Sequence, residues 1–214
     1  MPACHIVKQG EHLSKIAADY GFRESNTIWN YPDNAELKSK RKTPHILFPG
    51  DRLYIPDRSE KTEARPTDQR HVFLRLGEKL QLKIKVKDLN DEPIANTPCD
   101  LEIGFTSYSV VTDSAGIICH EIPRSAQKGR LLVHGADGEM RIEIRIGSLD
   151  PIEEESGQRA RLDNLGYNAG EPDSQDPQQF RCAVEEFQCD HQVRPITGTC
   201  DARTQAKLKE VHGC

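Results

Sequence analysis

Two short polar stretches dictate how this chain can fold. Residues 58–70 (RSEKTEARPTDQR) and 149–157 (LDPIEEESG) each carry a proline and several charges. Neither has the apolar periodicity that a core-facing helix or strand requires, and domain boundaries fall in segments of this kind. They leave three small pieces, residues 1–57, 71–148 and 158–214. Only 36% of the 214 residues are hydrophobic and 29% are charged. That balance suits several small cores, with much surface for their volume, better than one large core.

Each piece has its own hydrophobic period. In the first, His5-Ile6-Val7-Lys8 reads as a strand and Gly10 as a turn. Leu13, Ile16, Ala17 and Tyr20 follow with the i, i+3, i+4, i+7 spacing of one helix face, and Gly21 stands where a helix ends. Ser25 can cap a second short helix bearing Ile28 and Trp29, which Pro32 interrupts. Pro49-Gly50-Asp51 then turns the chain into a closing strand, Leu53 to Pro56. The expected order is β-α-α-β. Trp29, the only tryptophan, fits a core position in so small a module, with stacking on a sugar as the alternative.

The middle piece alternates with a period of two. Leu80, Leu82, Ile84 and Val86 interleave with lysines and a glutamine, and Met140, Ile142, Ile144 and Ile146 interleave with charges. Asp91-Glu92-Pro93 and Asp113-Ser114-Ala115-Gly116 are turn signals. Six or seven short strands at this spacing predict a β-sandwich. Cys99, in step with Leu101 and Ile103, and Cys119 are expected to pack in its core. The last piece is helical. Leu162 and Leu165 precede Gly166-Tyr167, Phe180, Ala183, Val184 and Phe187 form a second stripe, and Thr204 and Leu208 lie on a third helix after Gly198. The expected fold class is therefore multidomain: an α+β module, an all-β sandwich and a small three-helix domain.

These residues carry resemblances to known families. VKQGEHLSKIAADYGF, an aromatic second helix and HILFPGDRLYIP together resemble a LysM domain over residues 5–56. That resemblance implies binding of peptidoglycan or another N-acetylglucosamine glycan. The implied groove is formed by Gly10, Glu11, His12 and Leu13 and by His45, Ile46, Leu47 and Phe48. This chain departs from the family in having His12 after the acidic residue and a basic insertion, YPDNAELKSKRKTP, before the last strand. The DLNDEPIANTP and TDSAG runs resemble immunoglobulin-like and carboxypeptidase-regulatory-like sandwiches, which mostly serve as spacers or adhesive units. Residues 158–213 resemble the three-helix peptidoglycan-binding domain found on wall hydrolases, although GEPDSQDPQQ lacks that family's glycine turn. The glycan-binding positions it implies are Gly166, Tyr167, Gln188, Gly198, Asp201 and Thr204. The whole arrangement looks like small accessory proteins of type VI secretion and other contractile injection clusters.

Seven cysteines are many for a chain that opens Met1-Pro2-Ala3-Cys4-His5, with neither a basic nor an apolar leader region. Cys182, Cys189, Cys200 and Cys214 crowd the last piece. Disulfides there would staple a domain with a small core, and free thiols packing as small hydrophobes are the alternative. Zinc is a third reading, with His191 and His212 nearby, but the spacing is not that of a known ligand set. Nucleophilic catalysis needs a thiolate beside a base, and Cys119 and His120 point to opposite faces of a strand. His12 and His45 are expected as exposed loop residues, and the run Lys38 to Lys42 as a solvated face or a contact for an anionic partner.

No stretch approaches the length of a membrane helix, and a formal net charge of −5 carries no nucleic-acid footprint. The expectation is a non-enzymatic bacterial peptidoglycan-binding protein without metal or cofactor. It would be made in the cytoplasm and act in the periplasm or cell envelope, delivered by or docked to an injection apparatus. The alternative is a LysM-based adaptor that binds a secretion spike or effector and no glycan.

Overall fold

The computed structural model describes residues 3–58, 62, 64–72, 79–88, 90, 92–135 and 138–213. Asp91 of the expected turn, part of the 58–70 stretch, and Cys214 lie outside them. The fold combines helices with antiparallel sheets. The chain divides into two compact units, residues 1–45 with 49–148, and residues 46–48 with 149–214.

The first unit begins with β1 (Ala3–Ile6), which pairs antiparallel with β2 (Arg52–Ile55) in the register Cys4 to Tyr54. Between them lie α1 (Leu13–Asp19), α2 (Asn26–Trp29), a 3-10 turn at Pro32–Asn34, and α3 (Ala35–Arg41). Helix α1 ends as its sequence predicts. Gly21 takes φ +77°, the Phe22 N–H reaches Ala17 O at 2.7 Å and the Gly21 N–H reaches Ala18 O at 2.9 Å, a Schellman closure. Ile16, Ala17, Ile28 and Trp29 are buried, so Trp29 is a core residue. Ser25 stands at the start of α2 without bonding its amides.

The basic insertion differs from the expected connection: it forms a third helix. Proline at its start, Glu36 in the first turn and Lys38, Lys40 and Arg41 in the last turn of α3 complement the helix dipole. Nor is Lys38 to Lys42 wholly solvated. Arg41 folds inward onto Asp51, with Nε to Oδ2 at 2.7 Å and Nη2 to Oδ1 at 2.8 Å, and both side chains are 5% exposed. Asn34, fully buried, serves as the missing edge of the small sheet. Its Nδ2 donates to Ile28 O and Tyr54 O, each at 2.8 Å, and its Oδ1 accepts the Tyr54 N–H at 2.7 Å. One carboxamide thus satisfies both outward backbone groups of Tyr54 on β2.

Six more strands complete this unit. β3 (Leu80–Lys85) pairs with β6 (Ile117–Ile122). β4 (Pro98–Ile103), β5 (Thr106–Val111), β7 (Lys128–Gly135) and β8 (Gly138–Arg145) form a four-stranded antiparallel sheet in the order β5-β4-β7-β8. The two sheets share one core of Val86, Cys99, Leu101, Ile103, Ile118, Ile122, Leu131 and Val133. Cys99 lies in it, but Cys119 does not. The register of β6 turns Ile118 and Ile122 inward and leaves Cys119 exposed, because neighbours in a strand face opposite ways. His120, on the inward phase, packs against Tyr108 with ring centroids 4.5 Å apart.

The second unit holds α4 (Glu155–Asn164), α5 (Pro177–Asp190) and α6 (Ala202–His212), with α4 against both others. Ile152, Leu162, Ala183, Val184, Phe187 and Leu208 make its core. α5 starts on Asp176, whose side chain accepts from the amides of Gln178 and Gln179, followed by Pro177. No helix among the described residues is long and apolar enough to cross a membrane.

Candidate functional site

Four of the implied glycan-binding positions of the last piece meet at one loop. Gln188 on α5 is 1% exposed, and its carboxamide is fully used. Nε2 donates to Thr199 O at 3.0 Å, Thr204 Oγ1 at 2.9 Å and Thr197 Oγ1 at 3.3 Å. Oε1 accepts the amides of Thr197 at 2.8 Å and Gly198 at 3.1 Å. Gly198 has φ +68°, and a Cβ there would lie 2.6 Å from Arg181 Cγ, so only glycine lets the loop approach α5 this closely. Asp201 caps α6 by accepting from the Thr204 amide and hydroxyl, both at 2.9 Å. The Thr204 amide is the main reason its carboxyl is held below the usual range. Gln188 and Thr204 are thus buried supports of the loop. Its exposed residues include Arg194, Ile196, Thr197, Thr199, Asp201 and Arg203, with Arg203 donating to the Arg194 carbonyl.

Gly166 and Tyr167 form a separate cluster. Gly166, φ +93°, follows the end of α4. Tyr167 Oη lies 3.2 Å from both Asp190 Oδ2 and His191 Nε2, and the His191 ring rests on Phe187 with centroids 4.5 Å apart. This cluster offers an aromatic edge beside a carboxylate and an imidazole, groups suited to a polar, hydroxyl-bearing ligand.

Sequence reasoning missed Arg159. It is 1% exposed and holds the 169–177 loop onto α4. Nη1 donates to Ala169 O at 2.5 Å and Nη2 to Asp176 O at 2.8 Å, while Nε takes Glu155 Oε1 at 2.9 Å. The guanidinium stacks 4.7 Å from the centre of the Phe180 ring. The loop that lacks the family's glycine turn is fixed by this cation. The available signal was an arginine at an inward helix position, three residues before Leu162.

Three of the four C-terminal cysteines lie among the described residues. Cys182, Cys189 and Cys200 carry free thiols. Cys182 and Cys189 stand two turns apart on α5, roughly 10 Å, beyond the reach of a disulfide. Cys200 is buried, and burial pushes its thiol up to about 12. Among the described residues no group of three or more His, Cys, Asp or Glu side chains is placed to hold a metal ion.

The N-terminal positions are shared between the two units. Gly10, Glu11, His12, Leu13 and His45 fall in the first unit and Ile46, Leu47 and Phe48 in the second. Glu11 accepts from the Lys8 amide at 3.0 Å and lies 2.8 Å from His5 Nε2. Burial works to raise its pKa, but the Lys8 amide and His5 prevail and hold it below the usual range. Leu13 is a core residue, and His45 is exposed, as expected. His12, expected to be exposed, is 6% exposed: its Nε2 donates to Ala126 O at 3.1 Å. Gln127 Nε2 donates to Gly10 O at 2.9 Å. Within the first unit this loop is therefore covered by the residues before β7.

Comparison with known proteins bears on the second unit. Residues 159–208, from Arg159 on α4 to Leu208 on α6, match the family described as putative peptidoglycan binding domain. No curated protein and no solved structure matches the chain. The match takes in Tyr167, Gln188, Gly198, Asp201 and Thr204, and it supports peptidoglycan binding by this part of the chain.

Proposed function

We propose that this is a non-enzymatic bacterial protein that attaches to peptidoglycan through α4–α6, and that the first unit is a LysM-like module joined to an immunoglobulin-like sandwich that contacts another protein. The carrying observation is the family match over residues 159–208, set on a loop that Gln188 holds rigid. Preorganisation of this kind lowers the ordering cost of binding a flexible glycan. The protein acts at the cell envelope, where peptidoglycan lies. Sedimentation of the full chain with purified peptidoglycan tests the reading: retention that soluble muropeptides compete is expected, and no retention overturns it. Clearing of a wall suspension by the purified protein would overturn the non-enzymatic part.

The adaptor reading of the first unit is favoured by the covered loop, since the Gly10 carbonyl and the His12 imidazole are taken by Gln127 and Ala126. Its partner would be the spike or an effector of a contractile injection apparatus. Co-purification of the full chain with a spike protein supports it. Saturable binding of N-acetylglucosamine oligomers with chemical-shift changes confined to residues 9–13 would sink it.

A further inference from the structure

His12 closes a contact inside the first unit in which the neutral ring has a partner for each nitrogen. A carbonyl only accepts, so the bond to Ala126 O at 3.1 Å requires the proton on Nε2. Nδ1 is then an acceptor, and it takes the Lys15 amide at 3.4 Å, which makes His12 the N-cap of α1. The neutral ring satisfies both partners. A second proton on Nδ1 would face an N–H and put a cation at a helix N-terminus. Gly147 packs close to the ring: a Cβ built there would lie 2.9 Å from its Cδ2.

The charges around the ring work both ways. Lys15 on α1 and His45 disfavour a charged His12, and Asp19 on α1 favours it; Asp19 is itself paired with Lys15 at 2.7 Å. On the opposing segment the charged group is Arg124, which donates to Phe22 O and Arg23 O, each at 2.8 Å. Burial outweighs Asp19 and the Ala126 carbonyl and lowers the affinity of the ring for a proton. The other bonds across this contact, Gln127 Nε2 to Gly10 O at 2.9 Å and Gln9 Nε2 to Ser148 O at 3.3 Å, do not titrate.

We propose that His12 is an acid-operated latch: its protonation releases the loop at residues 9–12 from the segment at 123–127. Release frees the Gly10 and Ala126 carbonyls and the Gln127 carboxamide, which the closed contact keeps from any partner. At neutral pH the loop is masked, and in mild acid it is presented.

Hydrogen exchange of the full chain, normalised to the intrinsic chemical rate at each pH, tests the latch. Protection across residues 9–16 and 123–128 should fall several-fold between about pH 7.5 and 5.0, because the opened ring takes up a proton more readily than the buried one. In His12→Asn the cap is kept and the titration lost, so the ratio should stay near one. A flat wild-type ratio, or an equal fall in His12→Asn, overturns the proposal. If His12→Asn does not fold, the wild-type imidazole is titrated by NMR. A His12 ring that titrates below the ordinary histidine range upholds the latch, and one that titrates at or above it overturns it.

Discussion

Arg41 and Asp51 join the end of α3 to the start of β2 through two parallel bonds of 2.7 and 2.8 Å, with both side chains 5% exposed. A buried pair depends on both partners, because the survivor of a truncation is a desolvated charge. Arg41→Ala or Asp51→Ala should cost about 3–5 kcal/mol, and the double change Arg41→Met, Asp51→Leu should cost less than either. Urea unfolding of the three variants measures this. Single variants within about 0.5 kcal/mol of wild type, the range of ordinary surface changes, would refute the structural role.

Gln188→Ala removes a carboxamide on which the amides of Thr197 and Gly198 and the hydroxyl of Thr204 depend. Buried groups left without partners cost about 1–3 kcal/mol each, so the second unit should lose at least 2 kcal/mol or so. Exchange protection at residues 197–199 should collapse before global unfolding. Peptidoglycan retention should fall with it. Unchanged protection there would show that the loop is held by other means.

The thiols should divide sharply in reactivity. Cys4, Cys119, Cys182 and Cys189 are exposed. Burial raises Cys99 and pushes Cys200 up to about 12, so both lack thiolate near neutrality. Iodoacetamide at pH 8 should label the four exposed residues in the native protein. Cys99 and Cys200 should be labelled only after unfolding. Peptide mapping reads the result, and native labelling of Cys200 would contradict its buried position.

His212 makes the second unit sensitive to acid. Burial, with Arg161 adding to it, lowers the ring to about 4, and Nε2 accepts from Asn164 Nδ2 at 3.1 Å. The folded value lies below the unfolded one of about 6.5. As pH falls, the unfolded chain takes up the proton first, so stability is complete above about 6.5 and is lost progressively toward about 4. The urea midpoint should drop from pH 7 to pH 5, and His212→Gln should flatten that drop. An equal slope in the variant would assign the effect elsewhere.

Much of the fold is legible in local pattern. The stripe Leu13, Ile16, Ala17 and its Gly21 stop, the alternation through β3 and β8, and the buried face of α5 all follow from residues close in sequence. Arg41, Asn34 and Arg159 were not legible. Each is polar by type and buried only because a partner arrives from elsewhere in the chain: Asp51, the Tyr54 backbone, and the Ala169 and Asp176 carbonyls. The helix in the basic insertion was not legible because its charged run carries no apolar stripe, and its inward face is completed by the pairing of Arg41 with Asp51. Cys119 was misplaced because a period of two does not say which phase faces the core.

The sequence alone determined the three periodic pieces, the helix stops and turns, and the motif spacing by which residues 159–208 match a peptidoglycan-binding family. Those features depend on neighbours within a few positions, where side-chain direction is set by the backbone. Tertiary structure decided that Gln188 and Thr204 are buried in the hydrogen bonds that hold a loop, and that His12 is shut against Ala126. Burial and hydrogen-bond partners at long range depend on where distant segments come together, which local pattern does not encode.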